Sequence, residues 1–166
     1  GAIAGLSMAA SVQNGLAQSA ERPIQLAQSD AGGSYLDLLV ERAKGLLDEQ
    51  SGNRNPSQAA VILEEAVRAG SVSAMHLLAD LYATGDGVEA SFDRARQLLE
   101  DAIAAGDETF GSRDLGNLYR DAESPNRSAT KAAAAYERAA ELGDSVSMIA
   151  LAQLLAADSG GLDPDY

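Results

Sequence analysis

Ala59, Ile62, Leu63, Ala66 and Val67 recur at alternating gaps of three and one along the chain. That spacing puts them on one face of an α-helix. The same stripe returns as Ala95, Leu98, Leu99, Ala102 and Ile103, and again as Ala132, Ala135, Tyr136, Ala139 and Ala140. Between the first two stripes lies a different one, Ala74, Leu78, Leu81 and Tyr82, also at helical spacing. The pattern predicts two alternating kinds of helix. A first helix spans about 73–83 and a second about 92–105.

The alternation is periodic. Gly70, Gly106 and Gly143 lie 36 and 37 residues apart, and Leu78, Leu115 and Leu151 lie 37 and 36 apart. Ala79, Gly116 and Ala152 keep the same step, and Tyr82 and Tyr119 are matched by Leu155. A period in the mid-thirties is that of stacked helix pairs, in which neighbours bury apolar faces that no unit buries alone. Start and stop signals agree. Asn55, Ser91 and Ser128 each stand before a second helix, where their side-chain oxygens cap the free N–H groups. Pro56 follows at the first helical position, where its missing N–H does little harm. The three glycines each follow a stripe, at the place where a left-handed residue closes a helix. Gly116 stands in mid-helix, at a cost of up to ~1 kcal/mol relative to alanine. A close approach of two helix backbones there is expected to offset it.

The best copy contains Ala74, Leu78-Ala79, Tyr82, Gly85-Asp86-Gly87-Val88, Arg94-Ala95, Ala102 and Gly106. The next keeps Leu115-Gly116, Tyr119, Lys131-Ala132, Tyr136, Ala139-Ala140 and Gly143, and replaces the Gly-x-Gly-Val loop by Asp121 to Arg127. These residues resemble the Sel1-like repeat, a branch of the tetratricopeptide superfamily, over about 55 to the end. An unmatched helix at about 35–47 begins a divergent first unit. The resemblance implies an all-α solenoid of antiparallel helix pairs wound as a right-handed superhelix. It also implies a non-enzymatic protein–protein interaction scaffold whose concave face, lined by first helices, binds peptides. On the helix wheel that face lies opposite the Leu-Ala/Gly-x-x-Tyr stripe. It carries His76, Asp80 and Thr84, then Arg113, Asn117 and Arg120, then Ile149 and Gln153. Arg113 and Arg120 stand seven apart and point the same way. With Asn117 between them they would attract a carboxylate-bearing peptide or an anionic saccharide.

The two ends differ from the repeats. Residues 1–20 carry no charge, and 2–12 form a weakly apolar run. The small-residue stretch Leu16-Ala17-Gln18-Ser19-Ala20 follows, before Glu21 and Arg22. Residues 1–33 therefore read as the tail of a signal peptide or as a flexible segment, with Gly32-Gly33 in a linker. A short helix packing on the solenoid is the third reading. The repeats occupy 34–166. Ser159-Gly160-Gly161-Leu162 parallels the Gly85 to Val88 loop, and Asp163-Pro164 parallels Asn55-Pro56. The array is expected to break off in mid-repeat, and a native short tail is the competing reading.

Charge and composition narrow the partners. The net charge is −13 and the pI about 4.3, which disfavours nucleic acid and anionic lipid. There is no cysteine, hence no disulfide, thiolate ligand or lipidated cysteine in the chain as given. No run approaches the ~20 apolar residues of a membrane span.

Candidate chemistry is sparse. His76 is the single histidine, with Asp80 as its nearest carboxylate in sequence, and it is expected as an exposed residue lining the groove. Ser128-Ala129-Thr130-Lys131 matches an S-x-x-K pattern, but the register makes Ser128 a cap and puts Lys131 in the place of Arg94. Asn126-Arg127-Ser128 is a formal glycosylation sequon, and the carboxylates of 158–165 lack the spacing of a calcium loop. No catalytic residue, metal site or cofactor is expected.

The partner expected is another protein or a peptide segment. The expected location is periplasmic or secreted, in a Gram-negative cell envelope. The resemblance extends to scaffolds of exopolysaccharide (alginate-like) secretion complexes. A periplasmic regulator that binds a sensor kinase is the alternative, and a carbohydrate-binding module or small hydrolase the third class.

Overall fold

The computed structural model describes residues 30–121 and 124–159. The signal-like stretch at 1–20 and residues 160–166, where the array is expected to break off, lie outside the described residues. Two compact units divide the chain, Gly1–Leu39 and Val40–Tyr166. The described residues form seven helices: α1 (Asp30–Leu47), α2 (Pro56–Arg68), α3 (Val72–Thr84), α4 (Phe92–Ala104), α5 (Glu108–Arg120), α6 (Ala129–Glu141) and α7 (Ser145–Ser159). Helix α1 begins earlier than the sequence suggests. Gly32 and Gly33 lie inside it rather than in a linker.

Each second helix ends in the same way. Gly70, Gly106 and Gly143 have φ of 90°, 103° and 92°. The residue after each glycine donates to the carbonyl of Ala66, Ala102 or Ala139, at 2.9, 3.1 and 3.0 Å. Each glycine donates one residue further on, to Val67, Ile103 or Ala140. This pair of bonds is the Schellman closure, and it requires the left-handed glycine. At the other ends, Asn55, Ser91 and Ser128 accept from the N–H three residues on, as the capping pattern predicts.

A second recurring bond joins the two helices of a unit. Ser91 N–H donates to Tyr82 O at 2.8 Å and Ser128 N–H to Tyr119 O at 2.9 Å. Asn55 N–H makes the same bond to Leu46 O, at 2.8 Å. Leu46 thus stands where the tyrosines stand, which makes α1 the first helix of a divergent unit.

From α2 onward successive helices pack on one another, and α3 also touches α5. The contacts are made by small residues. Ala59, Ala66, Ala74, Ala95, Ala102, Ala132 and Ala139 are all at most 1% exposed. The backbone-to-backbone approach suggested by Gly116 occurs at a different glycine. A Cβ on Gly111 would sit 3.3 Å from Leu99 O and 2.6 Å from Ile103 Cγ1. The repeat equivalents of Gly111 are Ala74 and Ser147, both fully buried. Gly116 faces a ring instead. A Cβ there would sit 2.6 Å from Cδ1 and Cε1 of Tyr136. Tyr136 is fully buried, and Ala132, Ala150, Tyr119, Leu151 and Leu154 pack around it.

On α7, Ser147 and Ala150 are buried, whereas Val146, Met148, Ile149 and Leu155 are about half exposed or more. No described helix is long and apolar enough to cross a membrane.

Candidate functional site

The first helices α3 and α5 lie side by side and bound a cleft of about 1090 Å³. Leu77, Ala79, Ala83, Leu99, Leu118 and Phe92 supply its apolar lining. His76, Asp80, Asp114, Asn117 and Asp121 supply its polar lining, with Thr84, Ser91 and residues 124–126 at the loop end. His76, Asp80, Thr84 and Asn117, all expected on one face, are therefore brought together. Arg113, Arg120, Ile149 and Gln153 are not among the lining residues.

His76 is not the exposed residue the sequence suggested; only 16% of its side chain is accessible. Its Nδ1 lies 2.8 Å from Asp114 Oδ2 and its Nε2 lies 3.1 Å from Asp107 Oδ2. Both neighbours accept, so both ring nitrogens must carry protons for both bonds to exist. The hydrogen bond to Asp114 raises the His76 pKa most, burial opposes it, and Asp107 adds a smaller upward push. The imidazolium is thus a tie between α3 and α5. While both nitrogens carry protons, neither has a lone pair to offer as a general base. The two carboxylates also lie on different ring nitrogens rather than converging. Among the described residues no group of His, Asp and Glu could hold a metal ion.

Arg113 repeats the device one unit later. It lies 37 residues after His76, and its Nη1 is 3.5 Å from Asp144 Oδ1. Asp107 and Asp144 each follow the closing glycine and hold the N-terminus of the next first helix. Asp107 accepts from Phe110 N–H, and Asp144 accepts from Ser147 N–H and Oγ. The Ser147 hydroxyl contributes most to holding the Asp144 carboxyl below its usual range. Arg113 also lies over the Phe110 ring, 4.8 Å from its centroid. Arg120 lies over Tyr136 at 5.5 Å, and Asn117 Oδ1 accepts from the Tyr136 hydroxyl at 2.8 Å. The two arginines are therefore engaged within the stack and do not form the pair of open cations expected from their spacing. Ile149 and Gln153 are exposed on α7.

No family profile matches the chain, and neither does any curated protein. Among solved structures, a Sel1 repeat protein from Oxalobacter formigenes superposes with a TM-score of 0.58 at 22% identity. The match covers 78% of this chain and 53% of that one. A protective antigen present in uropathogenic Escherichia coli strains, which displays the SLR fold, superposes with a TM-score of 0.57 at 21% identity. That match covers 70% of this chain and 25% of the antigen. The fold is the Sel1-like repeat fold. The chain spans about half the length of the first of these proteins and a quarter of the second.

The repeat register gives the cross-helix contacts their logic. Arg94 and Lys131, the basic members of the Sel1-like Lys-Ala pair, lie over the rings of Tyr82 and Tyr119, at 5.1 and 5.3 Å from their centroids. Each such cation–π contact clips a second helix to the first helix of its own unit. His76–Asp107 and Arg113–Asp144 clip one Sel1-like unit to the next. Ser57 Oγ to Gly87 O, at 2.8 Å, also joins successive units, whereas Arg138 Nε to Glu108 Oε1, at 2.7 Å, ties the two helices of one unit.

Sequence reasoning missed Asp107, Asp114 and Phe92. Asp107 had a signal: acids follow both Gly106 and Gly143, and a basic or titratable residue stands 31 positions before each. Asp114 had none, because its role depends on how closely α3 approaches α5.

Proposed function

We propose that this chain is a non-enzymatic interaction module of a bacterial cell envelope that holds a segment of a partner protein in the α3–α5 cleft. The observation that carries the reading is the cleft itself. Two adjacent first helices present an apolar floor with a polar rim, a combination suited to fixing a peptide. The single histidine on that rim has both nitrogens committed to carboxylates, which favours a binding role over catalysis. The signal-like composition of residues 1–20 supports the envelope assignment. An exopolysaccharide secretion complex is the setting that the repeat resemblance offers, and a sensor kinase is the alternative partner.

Site-specific photo-cross-linking in cells tests both levels. A photoreactive residue at Thr84 should trap a partner protein in the envelope fraction, and one at Glu137 on α6 should not. The trapped protein then decides between polysaccharide export and signalling. Cross-links formed from Glu137 but not from Thr84 would refute the cleft as the working surface.

A further inference from the structure

The charges around the cleft are one-sided. Three carboxylates line it, those of Asp80, Asp114 and Asp121, against one imidazolium, and no lysine or arginine is among the lining residues. Asp114 is already committed. Its Oδ2 faces His76 at 2.8 Å, and its Oδ1 faces Arg113 Nε at 3.5 Å. Asp80 differs. It is exposed on α3, and no ion pair engages it among the described residues. Burial raises its pKa most, and the carboxylates of Asp114 and Asp86 raise it further. Among the described residues no lysine or arginine lining the cleft offers its anionic form a countercharge. The Thr84 hydroxyl one turn on is turned back to Asp80 O at 2.8 Å and does not compensate the carboxylate.

We infer that the cleft selects a segment of a partner protein bearing a lysine or arginine flanked by apolar residues, with the Asp80 carboxylate receiving the cation and Leu77, Ala83 and Phe92 receiving the apolar neighbours. This rests on the reading of the cleft as the partner site and specifies the chemistry of its occupant. It reverses the preference suggested by Arg113 and Arg120, which are engaged elsewhere. A cation at Asp80 completes a charge-assisted contact that added salt screens. An acidic segment would meet the Asp80 carboxylate with no lysine or arginine of the lining to offset it.

Three synthetic nonapeptides of one design, with Arg, Gln or Glu at the charged positions and leucine beside them, provide the probes. Each is titrated into the ¹⁵N-labelled protein at low and at moderate salt. The arginine peptide should shift the amides of Leu77, Asp80, Thr84 and Asn117 and weaken with salt, while the glutamate peptide should not shift them. Asp80→Asn should weaken the arginine peptide by about fivefold or more. Glu137→Gln removes the same charge outside the cleft and should leave binding within about twofold of the parent. If the glutamine or glutamate peptide fills the cleft as tightly, or the two variants lose affinity equally, the charge selection is wrong while the cleft survives as a binding surface. If the arginine peptide shifts only amides outside the cleft, the cleft reading itself falls. No shift at millimolar arginine peptide also overturns the inference.

Discussion

Gly116→Ala provides a stringent test of the packing. Helix propensity alone favours the change by up to ~1 kcal/mol. The structure opposes it. The new Cβ would lie 2.6 Å from Cδ1 and Cε1 of Tyr136 and 3.1 Å from Cγ, where carbon atoms ordinarily stand ~3.5–4.0 Å apart. The ring would have to retreat by about 1 Å. It has little room. Tyr136 is 0% exposed, its hydroxyl donates to Asn117 at 2.8 Å, and Ala132 and Ala150 pack against it. Overpacking of this kind costs ~1–3 kcal/mol. The balance is a destabilisation of up to ~2 kcal/mol, several degrees in melting temperature for a domain of this size. Gly116→Leu should be worse still. One unit earlier, the equivalent pair is Ala79 with Leu99. The double variant Gly116→Ala, Tyr136→Leu recreates that pairing and should recover part of the loss, giving a coupling of about 1 kcal/mol in a double-mutant cycle. Urea denaturation of the four proteins, followed by circular dichroism, measures it. A Gly116→Ala variant that is more stable than the parent, or strict additivity in the cycle, would refute the ring contact.

Gly87→Ala should also destabilise, by ~1–3 kcal/mol: φ is 76°, and a Cβ would stand 2.5 Å from the Pro56 carbonyl carbon at the start of α2. Thermal melts of Gly87→Ala beside the loop control Glu89→Ala check this, and equal melts would show that the loop does not seat on α2. The His76 tie should make stability pH-dependent. Its folded pKa is raised, so its contribution is full below the unfolded value of ~6.5 and is lost as pH rises through the folded value. Between the carboxylate range and pH 6 the parent should gain most over His76→Gln, and the difference should shrink above neutrality; a pH-independent difference would mean that the imidazole acts by packing alone. Arg113→Ala should lower stability by ~0.5–1 kcal/mol through the contact to Asp144, which is partly exposed. It should leave binding in the α3–α5 cleft unchanged, and a tenfold loss there with normal stability would restore Arg113 to the binding surface.

The local elements were legible in the sequence because local rules fix them. A stripe at helical spacing, a capping side chain and a left-handed glycine act over a few residues, so α2, α4 and α6 and their Schellman ends follow from Asn55, Ser91, Ser128 and the three glycines. The repeat step was legible too, because each unit must present the same faces to its neighbours. The cross-helix partners depended on tertiary structure. Gly116 signalled a close contact, but what approaches it is the Tyr136 ring, and the backbone approach falls at Gly111. Both outcomes depend on the spacing between packed helices, which no single helix encodes. Arg113 and Arg120 looked like an open pair because a helix wheel shows direction and not what stands opposite. Asp144 and Tyr136 stand there. His76 looked solitary for the same reason, until α5 brought Asp107 and Asp114 to its two nitrogens. Sequence thus determined which side chains share a face of each helix. Only the stacking of one helix pair on the next decided which of them meet one another and which, like Asp80, meet no cation among the described residues.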